Sequence, residues 1–498
     1  MRALDSLTEY KRRFGREAGH QCAALLASLQ HARLRDPADL ICLHETALFL
    51  RAYPQSPRVL RLADEILDSF GERMHGIALD QFEDPELSGI AGTSISTNFS
   101  YEFASSLVAR HGRSIDIDWE NYQRPDRLGS VLPDLIPLLM EDAAVEPHVD
   151  WKRWFESARG SLRWLLDRVE PRIYDLLEIP LRWDLGDSHA SRSRLRIPVR
   201  EIYYHHRPLL KRSEVSIEAE FSAPKLQSTK LARPRAERIL ASIVDASAVR
   251  YRELWGFVYP DAAHVYHAGL GRGADFYFFG VPDAWRLPLR AYHCGMFFKN
   301  GVPIGYFEGL SLFERMEAGF NLYYTFREGE TAWLYARVLK LFRERLGVTC
   351  FSIDPYQLGH ENEEAIASGA FWFYRKLGFR PASEEVARLM VREETRIAAE
   401  PGYRSPAATL RRLAEGSMIY GAPEGAHDWD RFEVRNVGYN AGRSSKASSG
   451  KQPWATESVS RAKHAAEEST YLRRLQKDTR LRAILLRMGS GSGPHRLA

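Results

Sequence analysis

The 498-residue chain is poor in cysteine and has no long apolar run. Cys22, Cys42, Cys294 and Cys350 form no Cys-x-x-Cys pair, so a disulfide framework is not expected and a reducing compartment is. No stretch approaches the ~18 uninterrupted apolar residues that a membrane-spanning helix needs; Leu135-Ile-Pro-Leu-Leu-Met140 is far too short. No small-residue cleavage site follows Ala23-Ala-Leu-Leu-Ala27, and Asp5, Glu9 and Glu17 stand among the N-terminal basic residues, unlike a secretory signal. What is present is ordinary for a globular protein: 44% hydrophobic, 11% aromatic and 27% charged residues, which excludes collagen, coiled coil and wholesale disorder. The expectation is a cytoplasmic protein of two to four domains with no membrane span.

The net charge of +4 is unevenly spread. Residues 188–235 hold 11 Lys/Arg against four Asp/Glu, and residues 431–498 hold 14 against five. These two segments could meet an anionic partner, RNA or another polyanion; the plainer alternative is a solvated tail and charged strand edges.

Apolar spacing predicts an all-helical N-terminal domain over residues 1–170, with helices near 40–50, 57–70, 99–109 and 151–166. Pro57 suits the first turn of the second. Residues 171–234 read as a strand-rich basic connector, because 194–204 and 214–221 alternate apolar and polar positions. A helix from Pro234 follows. Strands are then predicted at 275–280, 290–298, 302–308, 319–326 and 348–353, with a strong helix at 332–346 closed by Gly347 and another reaching about Lys376. Lys299-Asn-Gly301 is the signature of a two-residue hairpin turn. Residues 396–440 read as an extension and 441–498 as a flexible basic tail. The fold class is therefore α/β, an α+β mixed sheet behind a helical domain.

Phe373-Tyr-Arg-Lys-Leu-Gly-Phe379 resembles the aromatic-Tyr-x-Lys-x-Gly-Phe signature of the GNAT superfamily of N-acyltransferases, with small Ala370 four residues before Tyr374. Gly301-Val-Pro-Ile-Gly-Tyr-Phe307 resembles that family's central hairpin, and the resemblance covers roughly 235–395. It implies a GNAT-like acyltransferase domain in which strands 319–326 and 348–353 run parallel and splay, with acyl-CoA as co-substrate in the notch. The loop Phe326, Arg327, Glu328, Gly329, Glu330, Thr331 and Ala332 would bind the cofactor, using the free N–H groups and dipole of a helix start. Tyr374 would protonate the departing thiolate, and Glu308 or Asp354 would take a proton from an amine acceptor, small molecule or protein. Two positions depart from the family pattern: Glu330 replaces the central glycine of the loop, and Ala367 stands where an Asn is frequent. FemABX-type transferases share the fold and load from aminoacyl-tRNA, and a non-catalytic binding module is the remaining alternative.

Other candidate pairs carry less chemistry. His264-x-x-His267 has no accompanying ligand set, and adjacent residues such as His205-His206 or His293-Cys294 point to opposite faces of a strand. No metal site is expected. Gly89-Ile-Ala-Gly-Thr-Ser94 lacks the lysine of a phosphate loop and reads as a turn before a helix.

Overall fold

A computed structural model describes residues 2–136, 139, 141 and 160–422. The expected helix segment 151–159, the second half of the extension and the basic segment 431–498 lie outside the described residues. The chain is a mixed α/β protein, and among the described residues no helix is long and apolar enough to cross a membrane.

The N-terminal region is not purely helical. Helices Arg2–Tyr10, Arg16–Leu29, Pro37–Ala52 and Pro57–Asp68 pack together, the last two capped by the side chains of Asp36 and Ser56 with a proline in each first turn. Gly89 and Gly92 then lead into a strand rather than a helix. This strand, β1 (Ser94–Asn98), and β2 (Ile115–Ile117) both pair antiparallel with β3 (Pro180–Asp184), which lies beyond the expected domain boundary. Intervening helix and short connections hide such a three-residue strand from pattern reading.

The connector is not strand-rich either. Segment 194–204 is irregular, and the expected strand at 214–221 is a helix, Ile217–Ser222. The alternation at Leu195 and Ile197 is real burial, but the backbone bonds go elsewhere. Ile197 N–H donates to Gly301 O at 2.8 Å, and Tyr203 N–H to Asn300 Oδ1 at 2.8 Å. An extended chain thus lies against a hairpin tip without joining a ladder.

That hairpin belongs to the main sheet. Its strands are β4 (Ser228–Lys230), β5 (Tyr266–Gly271), β6 (Ala274–Gly280), β7 (Ala291–Lys299), β8 (Val302–Leu312), β9 (Arg315–Leu322), β10 (Cys350–Ile353), β11 (Arg380–Pro381) and β12 (Met418–Gly421). They lie in the order β11-β12-β10-β9-β8-β7-β6-β5-β4. Asn300 and Gly301 turn between β7 and β8 with φ of 48° and 83°, the two positive values the tight hairpin requires.

All neighbouring strands in this sheet are antiparallel except β9 and β10. A parallel pair needs a crossover. Helix Thr331–Leu346 supplies it and ends at Gly347 (φ 71°), whose N–H bonds Arg343 O at 2.9 Å. β9 starts and ends four residues before the expected 319–326, and Tyr324–Phe326 is a 3₁₀ turn. The helix expected to reach Lys376 is three short ones: Pro355–Leu358, Glu363–Ser368 and Ala370–Arg375, broken at Gly359 and Gly369. β12 enters the sheet between β10 and β11 from residues expected to be a mere extension.

Candidate functional site

The sheet splits at its one parallel pair. Arg315–Glu317 pair with Cys350–Ser352; beyond that β9 runs on to Leu322 while β10 stops at Ile353 and turns at Asp354-Pro355. Three of the expected site residues surround this opening.

Register places one carboxylate there. Cys294, Glu308 and Gly319 are cross-strand partners on β7, β8 and β9, so they share a face of the sheet. Half-buried Glu308 receives the Tyr292 hydroxyl proton donor at Oε1. Burial, then the Cys294 and Glu308 groups, pushes the Tyr292 phenol well above its ordinary range, so it stays a donor. Gly319 leaves room on that face for Gln357: a Cβ at 319 would sit 3.2 Å from Gln357 Nε2 and 3.9 Å from Glu308 Cβ.

Gln357 in turn meets Tyr374, whose hydroxyl donates to Gln357 Oε1 at 3.5 Å, the outer limit of a hydrogen bond. The Tyr374 ring is wedged edge-on against Tyr335 and Phe379, both 5.7 Å away, and is 4% exposed. Burial pushes its phenol up, so it is protonated at any ordinary pH. Gln357 thus stands between Tyr374, which it meets directly, and Gly319, the cross-strand neighbour of Glu308. Asp354 does not join them: its Oδ1 accepts the Tyr356 N–H at 2.9 Å and caps helix Pro355–Leu358.

The loop 326–332 is clasped by the N-terminal region. Glu328 pairs with Lys11 (3.2 Å) and Arg12 (3.0 Å). Gly329 touches Tyr53, where a Cβ would lie 2.5 Å from the hydroxyl oxygen, so only glycine fits. Glu330 is fully buried and held by Arg272 (2.6 Å), Lys299 (3.2 Å) and the Leu210 N–H (3.3 Å). Burial lowers Lys299 to about 8, against the opposing pull of Glu330. The carboxylate at the glycine position is thus neutralised from inside. Phe326 is core, Thr331 Oγ1 bonds Arg327 O at 3.0 Å, and Ala332 is buried in the first helical turn. Arg327 reaches out of the loop to Glu364 on the helix beyond β10.

A second constellation imitates a hydrolase triad. His44 Nε2 lies 2.9 Å from Ser193 Oγ, and His44 Nδ1 lies 2.9 Å from Glu45 Oε1. Ser193 and His44 are fully buried, and Ser193 Oγ also takes the Ala91 N–H at 3.0 Å. Arg192 grips both Glu45 oxygens at 2.8 Å and Thr325 Oγ1 at 3.1 Å. Burial alone would raise the Glu45 carboxyl; Arg192, His44 and Thr325 overcome it and hold it at about 2. Apart from Arg192 Nε, the polar side-chain atoms of His44, Glu45, Arg192 and Ser193 have protein partners, and Ser193 is fully buried. This is a tie between the N-terminal helices, the connector and the segment after β9.

The remaining histidines are occupied locally. His264 pairs with Asp261 (2.7 Å) and His267 with Asp275 (2.6 Å). His293 bonds Ser311 (2.8 Å), while Cys294 packs on Gly256 from the other face. His205 is enclosed by the Phe14, Tyr53 and Tyr203 rings, and burial lowers it to about 2. Among the described residues no group of three or more His, Cys, Asp or Glu could hold a metal ion. In the basic connector, Arg192, Arg194 and Arg196 pair with Glu45, Asp187 and Asp64.

Sequence reasoning missed Gln357, Lys299, Arg272 and Tyr292. Only Tyr292 had a readable signal, lying two residues from Cys294 on the strand that faces Glu308. No protein-family model, curated protein or solved structure matches the chain.

Proposed function

We propose that the chain is an N-acyltransferase of the GNAT type, moving an acyl group from acyl-CoA to an amine. The observation that supports this reading is the Tyr374–Gln357 pair beside Gly319, the cross-strand neighbour of Glu308 on β9, the strand that runs parallel to β10. The roles follow from the chemistry of the groups: a carboxylate accepts a proton, and the buried Tyr374 phenol, held protonated, donates one. Glu308 takes the proton that the amine loses as its nitrogen attacks the thioester carbonyl. The tetrahedral intermediate collapses, the C–S bond breaks, and Tyr374 gives its proton to the leaving thiolate. Tyr374 recovers a proton through solvent from Glu308, which balances the cycle. Gln357 positions the Tyr374 hydroxyl.

Calorimetric titration with CoA and acetyl-CoA, followed by thiol release in the presence of an amine panel, tests the reading. Micromolar to millimolar binding and amine-dependent thiol release are expected. Absence of both would move the assignment to an aminoacyl-tRNA donor or to a non-catalytic binding module.

A further inference from the structure

At the open end of the split, three donors converge on one carboxylate from a distant part of the chain. Arg252 Nη2 donates to Glu86 Oε1 at 3.0 Å, and Arg327 Nη2 stands 3.8 Å from the same oxygen. The Tyr324 N–H donates to Glu86 Oε2 at 3.4 Å. Two guanidinium groups and a backbone N–H around an anion form a phosphate-binding arrangement. Arg327 is aimed by its own Nε–H, which bonds Leu322 O at 3.2 Å, and is held from the other wall by Glu364.

Glu86 is poorly suited to be a mere strut. Its side chain is 27% exposed, and Arg252 and Arg327 are 35% and 32% exposed, so each contact competes with water. The loop that carries it is anchored without it. Arg192 Nη1 holds Glu86 O (3.0 Å) and Ser88 O (3.1 Å), and Ser88 Oγ bonds Val249 O at 2.9 Å. The carboxylate can swing away while the backbone stays. Meanwhile the helix start at Glu330–Thr331, the other anion site nearby, is closed by Tyr53 and by the internally paired Glu330.

We propose that Arg252, Arg327 and the Tyr324 N–H are the phosphate site of the donor, and that Glu86 is an internal placeholder which the donor's phosphate displaces. This rests on the acyl-CoA reading above. The placeholder partners Arg252 beside Arg327 in the empty protein, and it lowers donor affinity by the strength of the contacts that must be exchanged.

Titration calorimetry with CoA on the full chain tests this, using wild type, Glu86→Gln, Arg252→Gln and the double variant, with S-acetylpantetheine as a probe that has no phosphate. Glu86→Gln should tighten CoA by roughly fivefold or more and leave S-acetylpantetheine unchanged. Arg252→Gln should weaken CoA, and the double variant should lose the gain. Binding of CoA by Glu86→Gln alone would support the placeholder equally. Wild-type binding with an unchanged or weaker Kd in Glu86→Gln, and a lowered Tm, would overturn the placeholder and leave the acyltransferase reading standing. No CoA binding by any of the four proteins would overturn both.

Discussion

Two of the polar clusters among the described residues, both of catalytic-type residues, differ in how well those residues are satisfied. The cluster of His44, Glu45, Arg192 and Ser193 has short bonds and near-complete burial. The group of Glu308, Gln357 and Tyr374 has one long hydrogen bond, two half-buried members and a break in the sheet beside it. Saturated bonding is what a structural tie needs, because a buried charge without its partner is costly. A working acid or base needs spare capacity and a place for substrate. The less tidy cluster is therefore the one on which the acyltransferase proposal rests.

The comparison breaks most readily at Glu45. Glu45→Ala leaves the Arg192 guanidinium buried and unpaired, which should cost about 3–5 kcal/mol of stability, read as a lower midpoint in chemical denaturation. Acid should act in the same direction. Glu45 holds its charge down to about pH 2, whereas the unfolded carboxyl has its ordinary value of 4.5. The unfolded state takes up the proton first, so this contribution is complete above pH 4.5 and fades as pH falls toward 2. Wild-type stability in the alanine variant would contradict the structural role.

Glu308→Gln sharpens the other side. The amide can still accept the Tyr292 hydroxyl, so the fold should hold, while turnover at neutral pH should fall roughly 10²–10⁴-fold. An unchanged rate would remove Glu308 as the base. The smallest effect belongs to Asp354, the other carboxylate in view. Asp354→Ala removes a helix cap and should cost about 1 kcal/mol with turnover per folded molecule unchanged.

How much of this was legible depended on sequence separation. The Asn300-Gly301 hairpin and the helix before Gly347 follow from local turn chemistry and periodicity and stand in the structure; the parallel pair was implied by the GNAT resemblance, and it forms with β9 four residues earlier than expected, at Arg315–Glu317. β12 was invisible because four residues, Met418–Gly421, find their partners about seventy positions back at Cys350–Ile353. The alternation at 194–204 misled because an extended chain packed on a hairpin tip buries the same residues as a strand does. Within the site, Tyr374 was readable from its motif and Glu308 from its strand. Gln357 was not, since only the absence of a side chain at Gly319 makes room for it. The placeholder joins Glu86, Arg252 and Arg327 from three separated segments, and no spacing rule connects them.

The central claim is that the hydroxyl of Tyr374 works chemically. Tyr374→Phe removes that oxygen and leaves the ring against Tyr335 and Phe379. With acyl-CoA saturating at neutral pH, kcat should fall about 10²–10⁴-fold while Tm and donor affinity change little. Wild-type kcat in the phenylalanine variant would contradict the account and reduce Tyr374 to a packing residue.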